Sequence, residues 1–183
     1  MGKTIGAKVT AEVSPHHLLL CEDDIKENSG VYKMNPPLRA QEDKEALIQG
    51  LLDGTIEIIA TDHAPHTQEE KALGFEGPFG IIGLETAFPL LYTEFVEKQK
   101  IFTLEQLQHW LSIQPKELFK LSGNFMQMGD VADFAVFDLE KEVTINEKFI
   151  HSKSSNTPFM NHRVKGACVL TIVEGKIVYQ EGL

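Results

Sequence analysis

The chain has 183 residues, 42% of them hydrophobic, with 27 Asp and Glu against 17 Lys and Arg, a net charge of −10. A chain of this length buries about 70% of its extended surface, enough for one domain or one domain and a small second. The acidic balance, without a basic stripe, speaks against nucleic acid and anionic membrane as partners.

No apolar run approaches the roughly 20 residues of a membrane span, and residues 1–8 lack the apolar stretch of a signal peptide, so the expected compartment is the cytoplasm. Cys21 and Cys168 lie far apart without a ligand at metal spacing, which predicts separate reduced thiols.

In chain order, residues 9–13 are rich in β-branched side chains and read as a strand, closed by Ser14-Pro15 and followed by a polar loop. Residues 23–39 carry Asn28-Ser29-Gly30 and Asn35-Pro36-Pro37, which no helix tolerates, so they read as a long ordered loop. The apolar spacing predicts a helix over 42–52, stopped by Asp53-Gly54, and a strand over 55–61. Strand, loop, helix and strand make one βαβ unit, whose strands should run parallel. A charged loop over 67–83 ends in Gly77-Pro78-Phe79-Gly80, and helical periods follow over 84–96, 104–111 and 114–121, ending near residue 123. Thr103-Leu104-Glu105-Gln106 is a capping-box candidate. From residue 133 the period becomes two, with strands over 134–139, 142–145, 167–173 and 176–179, the last two joined by a hairpin at Glu174-Gly175.

The apolar stretch Ile58-Ile59-Ala60 runs into Thr61-Asp62-His63-Ala64-Pro65-His66, placing a carboxylate and two imidazoles at the carboxyl end of a strand, where α/β enzymes keep their chemistry. Such a set suits a divalent ion, general base work or an anionic substrate; the alternative is an Asp that only caps the next turn. Asn35 before two prolines offers donor and acceptor to an amide-like ligand, or else makes an Asx turn. Phe79-Gly80 either lets bare backbone approach a ligand or acts as a hinge. His16 and His17 point apart as neighbours and read as packing or loop residues; His109, His151 and His162 read as surface or core histidines.

Residues 9–18 (Val-Thr-Ala-Glu-Val-Ser-Pro-His-His-Leu), 32–39 (Tyr-Lys-Met-Asn-Pro-Pro-Leu-Arg) and 60–66 (Ala-Thr-Asp-His-Ala-Pro-His), with Pro78-Phe79-Gly80 and Gly83-Leu84-Glu85-Thr86-Ala87, together resemble the bacterial dihydroorotases of the amidohydrolase superfamily. The resemblance runs over essentially the whole chain. It implies an α/β fold, the C-terminal part of a (β/α)8 TIM barrel over 1–123 followed by a small β-sandwich segment over 124–183. It also implies zinc at the barrel mouth and the reversible cyclisation of N-carbamoyl-L-aspartate to dihydroorotate in pyrimidine biosynthesis.

By resemblance Asp62 is a zinc ligand and the general base, while Asn35, His66, Phe79 and Gly80 hold the small-molecule substrate. His16 and His17 match a signature without being ligands. The family's H-x-H pair, its bridging Asp or carboxylated Lys and its two further histidines have no counterpart here, and a closed barrel needs about 250 residues. The expectation is therefore a C-terminal portion with an incomplete zinc site, inactive alone, whose full-length form is a homodimer and associates with aspartate carbamoyltransferase. The rival expectations are a hydantoinase or allantoinase, and a catalytically dead homologue acting as a scaffold.

Overall fold

The computed structural model describes residues 5–26, 28–121 and 127–182. The expected end of the helical zone near 123, and the boundary between 1–123 and 124–183, fall outside the described residues. Two compact units are present, one built from residues up to Leu84 with Ser152–Pro158, the other from Glu85–His151 with Phe159 onward. The class is mixed helix and sheet.

In the first unit β1 (Glu12–Val13) pairs in parallel with β2 (Ile58–Ile59), Glu12 opposite Ile58 and Val13 opposite Ile59. Between them run α1 (Pro15–Leu19), the 3-10 turns Glu22–Asp24 and Gly30–Tyr32, and α2 (Gln41–Leu52). The parallel crossover follows from a helix placed between two apolar segments that must share one sheet. The strands are shorter than the periods over 9–13 and 55–61 suggest. Extended backbone continues on both sides of the ladder, with Glu57 N–H donating to Ala11 O at 3.1 Å and Ala60 N–H to Val13 O at 3.0 Å.

Where a polar loop is expected after Ser14, the chain forms α1. Pro15 occupies its first turn, where a missing N–H costs nothing, and Leu18 is buried beneath it. The stretch 67–83 likewise holds α3 (Gln68–Ala72), opened by a capping box in which Thr67 Oγ1 accepts from Glu70 N–H and the Glu70 carboxylate accepts from Thr67 N–H. Its residues are nearly all charged or polar, so no apolar period marks it. Leu18, Met34, Ile58, Ile59, Ile81 and Ile82 are buried in this unit.

In the second unit α4 (Ala87–Leu91) continues as a π-helical turn over Tyr92–Lys98. It is followed by α5 (Leu104–Gln108), a second π turn His109–Ile113, and α6 (Gln114–Leu118). Pro89 sits in the first turn of α4, and the Thr103–Gln106 capping box forms as predicted. Antiparallel strands β3 (Phe134–Thr144), β4 (Arg163–Val173) and β5 (Lys176–Gln180) lie in that order. The segments 134–139 and 142–145 are one strand, interrupted by an irregularity between Asp138 and Glu142. Glu174 and Gly175 have φ of +51° and +74°, the mirror-image turn that suits a two-residue hairpin.

Phe95 and Phe102 meet at a tilt and Phe102 and Trp110 edge to face, each pair with ring centroids 4.9 Å apart, and Leu91, Phe95 and Leu107 are fully buried. His109 is exposed, while the His151 ring packs on Tyr179 and the His162 ring on Phe159. Cys21 and Cys168 are free thiols.

Candidate active site

Asp62 follows the end of β2 with φ of +50°, a left-handed conformation that Asp tolerates better than most residues and that clusters at functional sites. Its side chain is exposed and makes no hydrogen bond or ion pair among the described residues, so the turn-capping alternative does not occur. It lines a cavity of about 680 Å³ whose walls also include Asn35, His17, Arg39, Val13 and Leu20.

Asn35 reaches the same cavity through a loop tied to the end of β1. The Ser14 hydroxyl contacts His17 Nδ1 at 2.6 Å, and His17 Nε2 donates to Pro36 O at 2.8 Å. The Asn35–Pro36 peptide is cis. The Asn35 side chain, like that of Asp62, has no partner among the described residues, which leaves no Asx turn.

His63 looks away from this chemistry. Its Nδ1 accepts from the N–H groups of Gly83 at 3.0 Å and Leu84 at 3.3 Å. With Ala64 N–H donating to Ile81 O at 2.8 Å, it fastens the strand end to residues 81–84.

His66, Phe79 and Gly80 form a second group, not among the walls of the Asp62 cavity. His66 Nε2 donates to Phe79 O at 2.9 Å, and its Nδ1 lies 3.7 Å from the Glu70 carboxylate. The Thr67 N–H bond, chief among several contacts, holds the Glu70 carboxyl below the usual range. Gly80 N–H donates to Lys33 O at 2.8 Å, which links this group to the segment that carries Asn35. Gly80 has φ of +99°, and a Cβ there would meet the Ala64 Cβ at 2.5 Å, so only glycine fits.

Four residues to which the sequence assigns no site role, Lys33, Lys71, Asn156 and Ser154, hold this group in place. Lys33 Nζ donates to Gly77 O at 2.7 Å and sits 4.2 Å above the Phe79 ring. Buried Lys71 donates to Gly30 O and Pro78 O, each at 2.9 Å. Burial, and secondarily the Lys33 charge, push its pKa below the usual lysine range. Asn156 Nδ2 donates to Ala64 O at 3.0 Å and Gly80 O at 3.2 Å, while its Oδ1 accepts from His66 N–H at 3.1 Å. Ser154 Oγ donates to His66 O. The available signals were only a lysine in a charged run and an Asn two residues before Pro158, neither of which says where the side chain ends.

His16 is 2% exposed, its Nε2 has no partner among the described residues, and burial, helped by the neighbouring His17, pushes its pKa down to about 3. Among the described residues no three His, Cys, Asp or Glu stand together to hold a metal ion. A catalytic zinc takes three protein ligands, so Asp62 alone does not fit one.

The amidohydrolase family model matches residues 10–178. The dihydroorotase of Lactobacillus acidophilus is 56% identical over 184 residues, covering all of this chain and 43% of that protein. That of Anoxybacillus flavithermus is 58% identical over 181 residues, covering 98% and 42%. Among solved structures, the L-hydantoinase (dihydropyrimidinase) of Arthrobacter aurescens superposes with a TM-score of 0.85 at 29% identity, over 99% of this chain and 41% of that one. The inactive dihydroorotase-like domain of a Chaetomium thermophilum CAD-like multifunctional protein does so at 0.67 and 22% identity, over 100% and 47%, which speaks for fold alone. The chain thus spans about 43% of the length of the curated relatives it matches. With a family match over nearly its whole length and a strand-end carboxylate left free at a cavity, the chain belongs to the amidohydrolase family.

Proposed function

We propose that this chain is the C-terminal portion of a dihydroorotase, which interconverts dihydroorotate and N-carbamoyl-L-aspartate. The observation that carries the reading is identity of 56–58% to dihydroorotases across the whole chain, with the Asp62 carboxylate unpartnered at the cavity. In the hydrolytic direction water adds to the cyclic amide carbonyl, the ring C–N bond breaks, and the nitrogen takes a proton. Asp62 is the general base that removes the proton from the attacking water and returns it to the leaving nitrogen. Asn35, with free donor and acceptor, holds the substrate's amide-like edge. His66, Phe79 and Gly80 complete the substrate site, Phe79 through an N–H that has no partner among the described residues.

The parallel β1–β2 pair with its crossover helix supports placement in a (β/α)8 barrel. The resemblance extends this barrel over 1–123 and a β-sandwich segment over 124–183. On this reading Asp62 is one donor to a zinc ion whose other ligands lie outside the described residues, so the chain alone is inactive. Homodimerisation, association with a carbamoyltransferase and a cytoplasmic location follow from the resemblance alone; no described helix is long and apolar enough to cross a membrane.

A second reading, hydantoin hydrolysis, is favoured by the 0.85 TM-score to a hydantoinase, but that likeness comes with 29% identity. Kinetics of the complete enzyme test both. Dihydroorotate should be the preferred substrate, and Asp62→Asn should lower kcat by roughly 100-fold to 10,000-fold, the range for loss of a general base. Preference for a hydantoin, or near-normal turnover in the variant, would refute the proposal.

A further inference from the structure

Four consecutive backbone carbonyls in the loop before Ile81 are each taken by a different side chain. Gly77 O accepts from Lys33 Nζ, Pro78 O from Lys71 Nζ, Phe79 O from His66 Nε2, and Gly80 O from Asn156 Nδ2. A peptide unit is planar and here trans, so fixing a carbonyl fixes the following N–H in the opposite direction. The grip on Phe79 O thereby sets Gly80 N–H, which is spent on Lys33 O. The grip on Pro78 O sets Phe79 N–H, which is spent on nothing among the described residues.

Lys71 is an expensive choice for holding one carbonyl. The residue is 6% exposed and its ammonium donates to two carbonyls and to no carboxylate, so the desolvation of the cation is offset by those hydrogen bonds and by the attraction of the nearby Glu70 charge. The neighbouring Glu70 carboxylate is engaged with Thr67 N–H instead. Packing alone would be served better by methionine. The surroundings are also built to admit the lysine backbone, because a Cβ at Gly30 would come within 2.3 Å of Lys71 O.

We propose that Lys71 is a positioning residue. By holding the Pro78 carbonyl it aims the free Phe79 N–H at an anionic or carbonyl oxygen of the bound substrate. The inference rests on the reading of Phe79 as a substrate contact and adds the residue that sets its direction.

Lys71→Met in the complete enzyme removes the ammonium and keeps the stem. The expected result is a rise of about tenfold or more in KM for dihydroorotate, a smaller change in kcat, and amide hydrogen exchange at Gly80 at least about tenfold faster as the loop loosens. If that variant does not fold, Lys71→Gln, which keeps a donor for one carbonyl, carries the same two readouts. A fall in kcat with KM unchanged would make Lys71 merely structural and overturn the proposal. Faster exchange with unchanged kinetics would also overturn it, and would remove Phe79 from the substrate site. Unchanged exchange would overturn the grip itself, while leaving the dihydroorotase reading to stand or fall on Asp62→Asn.

Discussion

His16 gives the fold a measurable weakness toward acid. In the folded chain its ring is buried, without a partner on Nε2, and its pKa is down at about 3, against 6.5 for the exposed ring. Between those values the unfolded chain binds a proton that the folded chain refuses, so stability is complete above about pH 6.5 and declines as pH falls toward 3. One unit of pKa difference corresponds to about 1.4 kcal/mol, so the loss is about 2 kcal/mol at pH 5 and about 3 kcal/mol at pH 4. Urea unfolding of the chain and of His16→Leu, from pH 4 to 8, measures this effect together with its coupling to the adjacent His17 ring, because titrating groups remote from His16, such as Glu70, cancel in the difference. Leucine leaves no group orphaned among the described residues, since none of them pairs with Nε2. The wild-type chain should lose about 2 kcal/mol more than the variant between pH 7 and pH 5. A flat difference would mean that the buried ring takes up its proton without opposition, and the reasoning would fail.

Three further outcomes can be measured. Leu107→Ala, at a fully buried position among helices, should cost about 2–5 kcal/mol in urea unfolding, whereas a loss below about 1 kcal/mol would place Leu107 outside a packed core. Thr103→Ala removes the side chain that accepts from Gln106 N–H and should cost about 1 kcal/mol; no change in thermal midpoint would deny the cap any role. Asp62→Asn should leave stability within about 0.5 kcal/mol, because Asn accepts φ of +50° at least as well and no partner of the carboxylate is lost. A loss above about 1.5 kcal/mol would show that the carboxylate serves the fold after all.

The sequence announces those elements whose stability comes from a repeated apolar face or a local cap. The parallel crossover from β1 to β2, the helix α2, the Thr103 cap and the Glu174-Gly175 hairpin are all of this kind. It is silent on α1 and α3, for a common reason. Each is five residues long, too short to show a period, and α3 is held by a cap and by Lys71 rather than by an apolar stripe. At the site, Asp62 and Asn35 stand out because a strand end and a proline pair advertise themselves locally, and both line one cavity. Lys33, Lys71 and Asn156 do not, because their partners lie 44, 7 and 76 residues away along the chain and a side chain's reach is set by tertiary structure.

The two groups of site residues are organised by opposite rules, and the contrast bears on what each is for. Asp62 and Asn35 end in polar atoms that the described residues leave unused, at the wall of an open cavity. In the 77–80 loop every carbonyl is already bound, which leaves that stretch only the Phe79 N–H to offer. A surface that merely propped up a partner would gain nothing from a free carboxylate on a left-handed backbone, a conformation that costs up to about 1–2 kcal/mol for a non-glycine residue. An enzyme acting on a cyclic amide has use for both arrangements: a base free to take a proton, and a donor whose direction is fixed before the substrate arrives. His66 Nε2, by contrast, is already engaged with the loop, so its share in the substrate site begins with Phe79, whose carbonyl it holds.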